Sequence, residues 1–277
     1  MGLGKLYMIA TPLGNLKDMT QRGLDALKNL EYFFAEDTRE LKKLLMALGI
    51  SGEKKIFSYS SHNMKAATEK AMSFLAANHE VGFVSDRGTP GISDPGALLA
   101  AQYWEAGGTP IPLPGVSSPI ALLSVSGFSA DQFLFLGFLP LKPKAREALW
   151  AQVEQWAMAT CFFESPKRIE KTLTELAKRF PDGEVVIGRE LTKTFEEIKR
   201  FPLKALKSVR FEVRGEFTAV LMPGKPPESE SEWMSEVRLR ALSDKEWSKE
   251  LATRFGVTAK TFYNTLQQLK SSSDNDQ

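Results

Sequence analysis

Residues 81–96 read Val81-Gly-Phe-Val-Ser-Asp-Arg-Gly-Thr-Pro-Gly-Ile-Ser-Asp-Pro-Gly96. The short apolar run Val81–Ser85 has the length and branching of a buried strand. The residues after Ser85 cannot continue it: prolines remove backbone donors, and glycines supply the positive-φ positions that turns need. The next pattern, Gly96–Glu105, is helical and closes on Gly107-Gly108. A strand that ends abruptly in a carboxylate- and hydroxyl-rich loop before a helix is half of a parallel α/β unit.

The same arrangement recurs on either side. Leu6–Ala10 reads as a strand and runs into Thr11-Pro-Leu-Gly-Asn15. Thr20 is placed to cap a helix with Leu24, Leu27 and Leu30 on one face. Tyr32–Ala35 leads into Glu36-Asp37-Thr38-Arg39, and then into a stripe of Leu41, Leu44, Leu45 and Leu48, ended by Gly49. Ile56–Tyr59 precedes Ser60-Ser61-His62-Asn63 and a helix at Lys65–Ala77. Thr109–Leu113 precedes Pro114-Gly115-Val116-Ser117-Ser118. In a parallel sheet these five loops share the edge at which strand C-termini point, where open α/β sheets bind ligands. Each loop alone reads as an ordinary turn; their convergence is the signal.

A second strand–helix set is expected beyond a break near Gly115–Phe128. Its strands are Phe133–Leu136, Cys161–Phe163, Val185–Gly188, Glu196–Phe201 and Phe217–Met222. Its helices are Ala145–Trp156 and Ile169–Phe180. The run Pro223–Trp233 is a linker by composition. Within 245–269, Leu251 and Ala252 precede Phe255-Gly256-Val257, and Phe262, Leu266 and Leu269 come after at helical spacing, which looks like a helix-turn-helix unit. The expected organisation is therefore an N-terminal α/β domain over 1–117, a C-terminal α/β domain over 118–226, and a helical tail over 233–270.

Composition narrows the function classes. One cysteine, Cys161, excludes an intrachain disulfide and a four-cysteine zinc site. The sequence shows no signal-peptide pattern and no apolar stretch of about 20 residues, so the cytoplasm is the expected compartment and a membrane is not an expected partner. Dinucleotide and P-loop glycine fingerprints are missing, as is a nucleophile elbow. Net charge is +2 overall, yet residues 142–214 hold 16 basic against 11 acidic residues, a net of +5. That excess suits either a solvated surface or a polyanion.

Six runs stand out in order along the chain: ATPLGNL (Ala10–Leu16), AEDTR (Ala35–Arg39), SDRGTPGISDPG (Ser85–Gly96), PLPGVSS (Pro112–Ser118), ESPKR (Glu164–Arg168) and RELTKTFEE (Arg189–Glu197). Together they resemble the bacterial 2′-O-ribose methyltransferases of small-subunit ribosomal RNA, within the tetrapyrrole-methylase-like superfamily. The resemblance implies two α/β domains with S-adenosylmethionine in the cleft between them, and a homodimer acting on a cytidine ribose of small-subunit ribosomal RNA or the 30S subunit. Carried onto matching positions, it implies cofactor contacts at Pro12, Leu13, Asp86, Thr89, Ser117, Ser118, Phe163, Gly188 and Met222. Glu36, Asp37, Glu164 and Lys193 are candidates for proton transfer by type and motif, and Arg39, Lys167, Arg168 and Lys260 for phosphate contact. This reading requires no metal. Arg87 stands where that family usually carries Ala, and is expected to narrow the pocket or to meet phosphate. Two other readings stay open: a tetrapyrrole or corrinoid methyltransferase, and a nucleic-acid-binding protein with a degenerate site.

Overall fold

The computed structural model describes residues 2–224, 243–255, 258–261, 263 and 264. Residues up to Lys225 form one compact unit, and the rest form a second. The first unit holds two five-stranded sheets.

The first sheet comprises β1 (Leu6–Ile9), β2 (Tyr32–Ala35), β3 (Lys55–Ser58), β4 (Val81–Val84) and β5 (Ile111–Leu113) in the order β3-β2-β4-β1-β5. Every pairing is parallel. Helices α1 (Gln21–Asn29), α2 (Thr38–Ala47), α3 (Met64–Ala76) and α4 (Gly96–Glu105) make the crossovers. All four residues of both β2 and β4 are buried, as a sheet covered on both faces requires. The strand period of two splits adjacent aromatics. Phe34 packs with Leu75, Phe83 and Leu99, whereas Phe33 packs with Leu27, Leu41 and Leu45. Each fully buried phenylalanine stabilises the fold by roughly 1.5–3 kcal/mol of transfer energy. Helix α1 starts where Thr20 Oγ1 accepts the Gly23 N–H at 3.2 Å, and α2 ends before Gly49 at φ +67°.

Helix α5 (Ser118–Ser126) leads to the second sheet, built from β6 (Phe133–Phe138), β7 (Ala159–Glu164), β8 (Glu184–Arg189), β9 (Glu197–Pro202) and β10 (Phe217–Met222). Its order is β6-β7-β10-β8-β9. Only β6 and β7 run parallel; β10 is antiparallel to both β7 and β8. Helices α6 (Pro143–Trp156) and α7 (Pro166–Arg179) cover one face, where Trp150, Phe162, Leu173 and Phe180 are buried together. On the other face Leu122 and Leu123 of α5 join Cys161, Val186 and Val220. Thus α5 belongs with the second sheet, and the change of sheet falls at Ser117–Ser118. The Cys161 thiol lies 4.0 Å from the Pro119 carbonyl, and burial pushes its pKa up to about 12.

The two strand–helix sets expected from sequence are present, with ends that coincide or differ by at most three residues. In the second unit, α8 (Asp244–Phe255) is preceded by Ser243, whose N–H donates to Glu246 Oε2 at 2.9 Å, half of a capping box. Thr258 Oγ1 accepts the Thr261 N–H at 3.2 Å and so caps a further helical stretch that contains Lys260. Phe262, Leu266 and Leu269 lie outside the described residues. Among the described residues, no helix is long and apolar enough to cross a membrane.

Candidate functional site

The loops at the C-terminal edge of the first sheet are tied to one another. Thr11 and Gly88 exchange backbone hydrogen bonds at 2.9 and 3.0 Å, joining the loop after β1 to the loop after β4. Asp37 N–H donates to Asp86 Oδ1 at 2.9 Å, adding the loop after β2. Thr89 Oγ1 donates to the Val116 carbonyl at 3.2 Å, adding the loop after β5. Within the β4 loop, the Asp94 carboxylate accepts the Gly91 and Gly96 N–H groups at 2.9 and 2.7 Å. The convergence expected from sequence is therefore a hydrogen-bonded framework.

Two cavities open against it. The inner one, about 500 Å³, has polar walls from Glu36, Asp86, Asp94 and Ser118 and apolar walls from Leu13, Ile92, Phe138, Phe163 and Leu191. The outer one, about 850 Å³, is lined by Pro12, Asn15, Lys17, Lys43, Thr192 and Lys193, among others. Leu13, Glu40, Asp86 and Arg87 border both. Arg87 reaches across and pairs with Glu216, which stands just before β10. Lys193 binds Glu216 at 3.1 Å and Glu190 at 2.9 Å. This ionic seam separates the two chambers. On the far side of the inner chamber Gly137, at φ +60° in an irregular stretch of β6, lies so close to Ser93 that a Cβ would come within 3.0 Å of its hydroxyl.

The inner chamber is a carboxylate site. Burial, with the charges of Asp86, Asp94 and Asp37 nearby, raises the Glu36 pKa. Burial likewise raises Asp86, countered by the hydrogen bond it accepts from Asp37 N–H. Asp94 is raised mainly by burial, although it accepts two backbone N–H groups. An electronegative pocket with an aromatic wall is what a sulfonium nucleoside needs: carboxylates for the cation and an apolar slot for the ring. The N-terminus of α5 lies at the same place. Ser117, its N-cap, makes no capping hydrogen bond, and Ser118 lines the chamber. These residues fit S-adenosylmethionine.

The sequence-derived candidates separate on this geometry. Leu13, Asp86, Ser118, Phe163 and Gly188 line the inner chamber, and Pro12 and Lys193 the outer one. Thr89 stitches loops rather than lining either. Met222 is a correction: it closes β10 opposite Glu184, at the sheet edge away from the cleft, because β10 runs against β7. Glu164 is another. It borders the inner chamber, but its side chain is 0% exposed and fully committed. It accepts from Arg168 Nε at 2.6 Å, Ser165 N–H at 2.7 Å and Thr172 Oγ1 at 2.8 Å. Arg168 is thereby a structural partner and not a free phosphate contact. Asp37 is held far below the usual carboxylate range by Arg39, with which it forms hydrogen bonds at 2.6–3.2 Å. That pair occupies Arg39 too, and neither residue lines a chamber. Glu36 has no such partner among the described residues, and Lys167 is exposed.

Phe138, Glu190, Leu191 and Glu216 complete the cleft, although sequence reasoning did not single them out. Glu190 and Leu191 lie inside the quoted 189–197 run. Glu216 carried no signal, because it precedes an antiparallel strand whose N-terminus, not its C-terminus, faces the cleft.

An all-parallel sheet whose loops meet a mixed sheet is the fold of a methylase family. The chain belongs to the family described as Tetrapyrrole (Corrin/Porphyrin) Methylases, which matches residues 5–207. Among solved structures, a diphthine synthase superposes with TM-score 0.63 over 79% of this chain and 90% of its own, at 14% identity. A uroporphyrin-III C-methyltransferase from Thermus thermophilus, complexed with S-adenosylhomocysteine, gives TM-score 0.55 over 82% and 100%, at 16% identity. Within the family the sequence sits with proteins called ribosomal RNA small subunit methyltransferase I. It is 39% identical to that of Neisseria meningitidis serogroup B, over 82% of this chain and 79% of the relative. It is 35% identical to that of Halalkalibacterium halodurans, over 96% and 95%.

Proposed function

We propose that this protein transfers a methyl group from S-adenosylmethionine to a ribose 2′-hydroxyl, on a cytidine, in small-subunit ribosomal RNA. The observation that carries the proposal is the pair of chambers meeting at Asp86 and Arg87: an acidic, aromatic-walled inner one and a lysine-bearing outer one. The first suits a cationic nucleoside, the second an anionic nucleotide. A tetrapyrrole, a larger polyanionic disc, is less compatible with a cleft divided by the Arg87–Glu216 pair.

The cofactor, when bound, supplies an activated methyl on a sulfonium sulfur. The chain's part is positioning and proton removal. Asp86 faces the cation; Leu13, Phe163 and Leu191 enclose the apolar ring; Ser118 and the first N–H groups of α5 meet a carboxylate or carbonyl. Lys17, Lys43 and Lys193 face the incoming backbone. Of the four proton-transfer candidates Glu36 suits the role, since Asp37 and Glu164 are committed and Lys193 is an ion-paired ammonium. Its raised pKa makes it a better proton acceptor than an ordinary carboxylate. The proposal places the enzyme in the cytoplasm as a homodimer; light scattering showing only the 30.8 kDa chain at all concentrations would end the dimer.

The test is methyl transfer from labelled S-adenosylmethionine to 30S subunits from cells lacking the gene, followed by mass mapping of the RNA. A single ribose methyl on a cytidine is expected. No incorporation into 30S subunits or free RNA, or a methyl placed on a base, refutes the reading.

A further inference from the structure

A second groove, of about 580 Å³, lies between the C-terminal half of α7 and the 3-10 turn Leu203–Ser208, away from both chambers. Its floor is apolar: Leu206, Val209 and Phe211 are half-buried there, packed on the core that holds the fully buried Leu173. Its rim carries Lys178, Lys204, Lys207 and Arg210, against the single acid Glu170. All four basic residues are exposed. Arg210 donates to the Lys207 and Val209 carbonyls, and none of the four forms an ion pair among the described residues. By contrast Arg146, Arg168, Arg179, Arg189 and Arg200 in the same sheet region are each paired with a glutamate, whereas Lys167 and Lys171 of α7, like the rim, have no such pair among the described residues.

The rim connects to the cleft along α7. Lys167, Lys171, Thr174 and Lys178 are exposed at spacings of four, three and four residues, a single stripe on the helix. The helix begins at Pro166, which lines the inner chamber. Between Pro166 and Lys178 the rise is about 18 Å at 1.5 Å per residue. A cationic track thus runs from the mouth of the reaction cleft to a groove with an apolar floor.

We infer that this groove binds a single-stranded RNA segment flanking the methylated nucleotide, its phosphates on the lysine rim and its bases against the apolar floor. This rests on the ribosomal RNA reading above. Unpaired cations together with a hydrophobic, aromatic-containing floor are what single strands require. A duplex presents phosphates alone and would make no use of the parts of Leu206 and Phe211 that remain open to the groove. A protein partner would need acidic complements to the rim and is the competing occupant.

The experiment uses the full chain without cofactor and a fluorescent twelve-nucleotide oligouridine, with a blunt RNA duplex of equal length as comparison. The variant is K178Q/K204Q/K207Q, whose exposed positions lie outside the core. Three lost phosphate contacts should reduce the salt slope of log K by about 2, at roughly 0.7 per contact, equivalent to about 100-fold weaker binding in 0.1 M salt. The single strand should bind wild type more tightly than the duplex, and a Phe211→Ala variant should lose that preference. An unchanged slope in the triple variant, or equal affinity for strand and duplex, overturns the inference. Failure of 30S methylation by wild type would instead overturn the activity, and S-adenosylhomocysteine calorimetry on all three proteins shows whether the cleft itself is intact.

Discussion

Replacing Arg168 by Met should be among the most damaging single changes away from the hydrophobic core. Glu164 ends β7 with its carboxylate wholly removed from solvent, and Arg168 supplies its closest cation, with contacts at 2.5 and 2.6 Å. Without Arg168 the carboxylate keeps Ser165 N–H and Thr172 Oγ1, and the Arg146 guanidinium at 3.8 Å. Breaking a buried pair from one side costs about 3–5 kcal/mol. The remaining cation, and the 25% exposure of Arg168, which admits water, place this case near the lower end. For a unit of this size, 1 kcal/mol is worth about 2–4 °C, so Tm should fall by about 6–12 °C. The double variant R168M/E164L removes both charges and should recover most of the loss, giving a coupling energy of at least about 2 kcal/mol. Thermal and urea unfolding of wild type, both single variants and the double variant measure it. If R168M unfolds within about 1 °C of wild type, or the two single losses simply add, the pair is not a structural lock.

Glu36 predicts opposed pH profiles. Its folded pKa is raised above the ordinary 4.5, so the folded state holds a proton the unfolded chain has released. Stability associated with it is complete below about pH 4.5 and is lost as pH rises through the raised value, whereas activity requires the ionised carboxylate and rises over the same range. E36Q should flatten the Tm profile in that window and lower kcat by roughly 100-fold or more, with S-adenosylhomocysteine affinity little changed; an unaltered kcat removes Glu36 from proton transfer. R87A should merge the two chambers and, by leaving Glu216 to Lys193 alone, keep S-adenosylhomocysteine binding within a few-fold while changing KM for the 30S subunit. Weakening of cofactor affinity by more than about 10-fold would instead place Arg87 in the cofactor site.

The first sheet was legible because a strand buried on both faces and a loop rich in Gly, Pro and Asp are both local signals. Phe33 and Phe34, or Ser85 to Gly96, declare themselves within a few residues. The parallel rule puts the loops after β1, β4 and β5 at one edge, and Leu13, Asp86 and Ser118, which the family resemblance had implied, line the inner chamber there. Met222, carried over from the resemblance, lies at the far end of β10, and Glu216 was passed over, because β10 is antiparallel and strand direction within a mixed sheet is set by nonlocal pairing. Glu164 and Asp37 misled for another reason: a carboxylate in a motif-like run has the same letter whether it faces a substrate or a nearby arginine. The Arg87–Glu216 pair spans 129 positions and left no trace in spacing.

The one native thiol is sealed beneath α5 with its pKa pushed up to about 12, so at neutral pH almost none of it is thiolate. For maleimide chemistry the chain behaves as though it were cysteine-free. A reporter thiol installed at Ser208, which is exposed on the turn bordering the lysine-rimmed groove, would take a dye with little background. Optical signals could then be assigned to one place on the surface without first re-engineering the core.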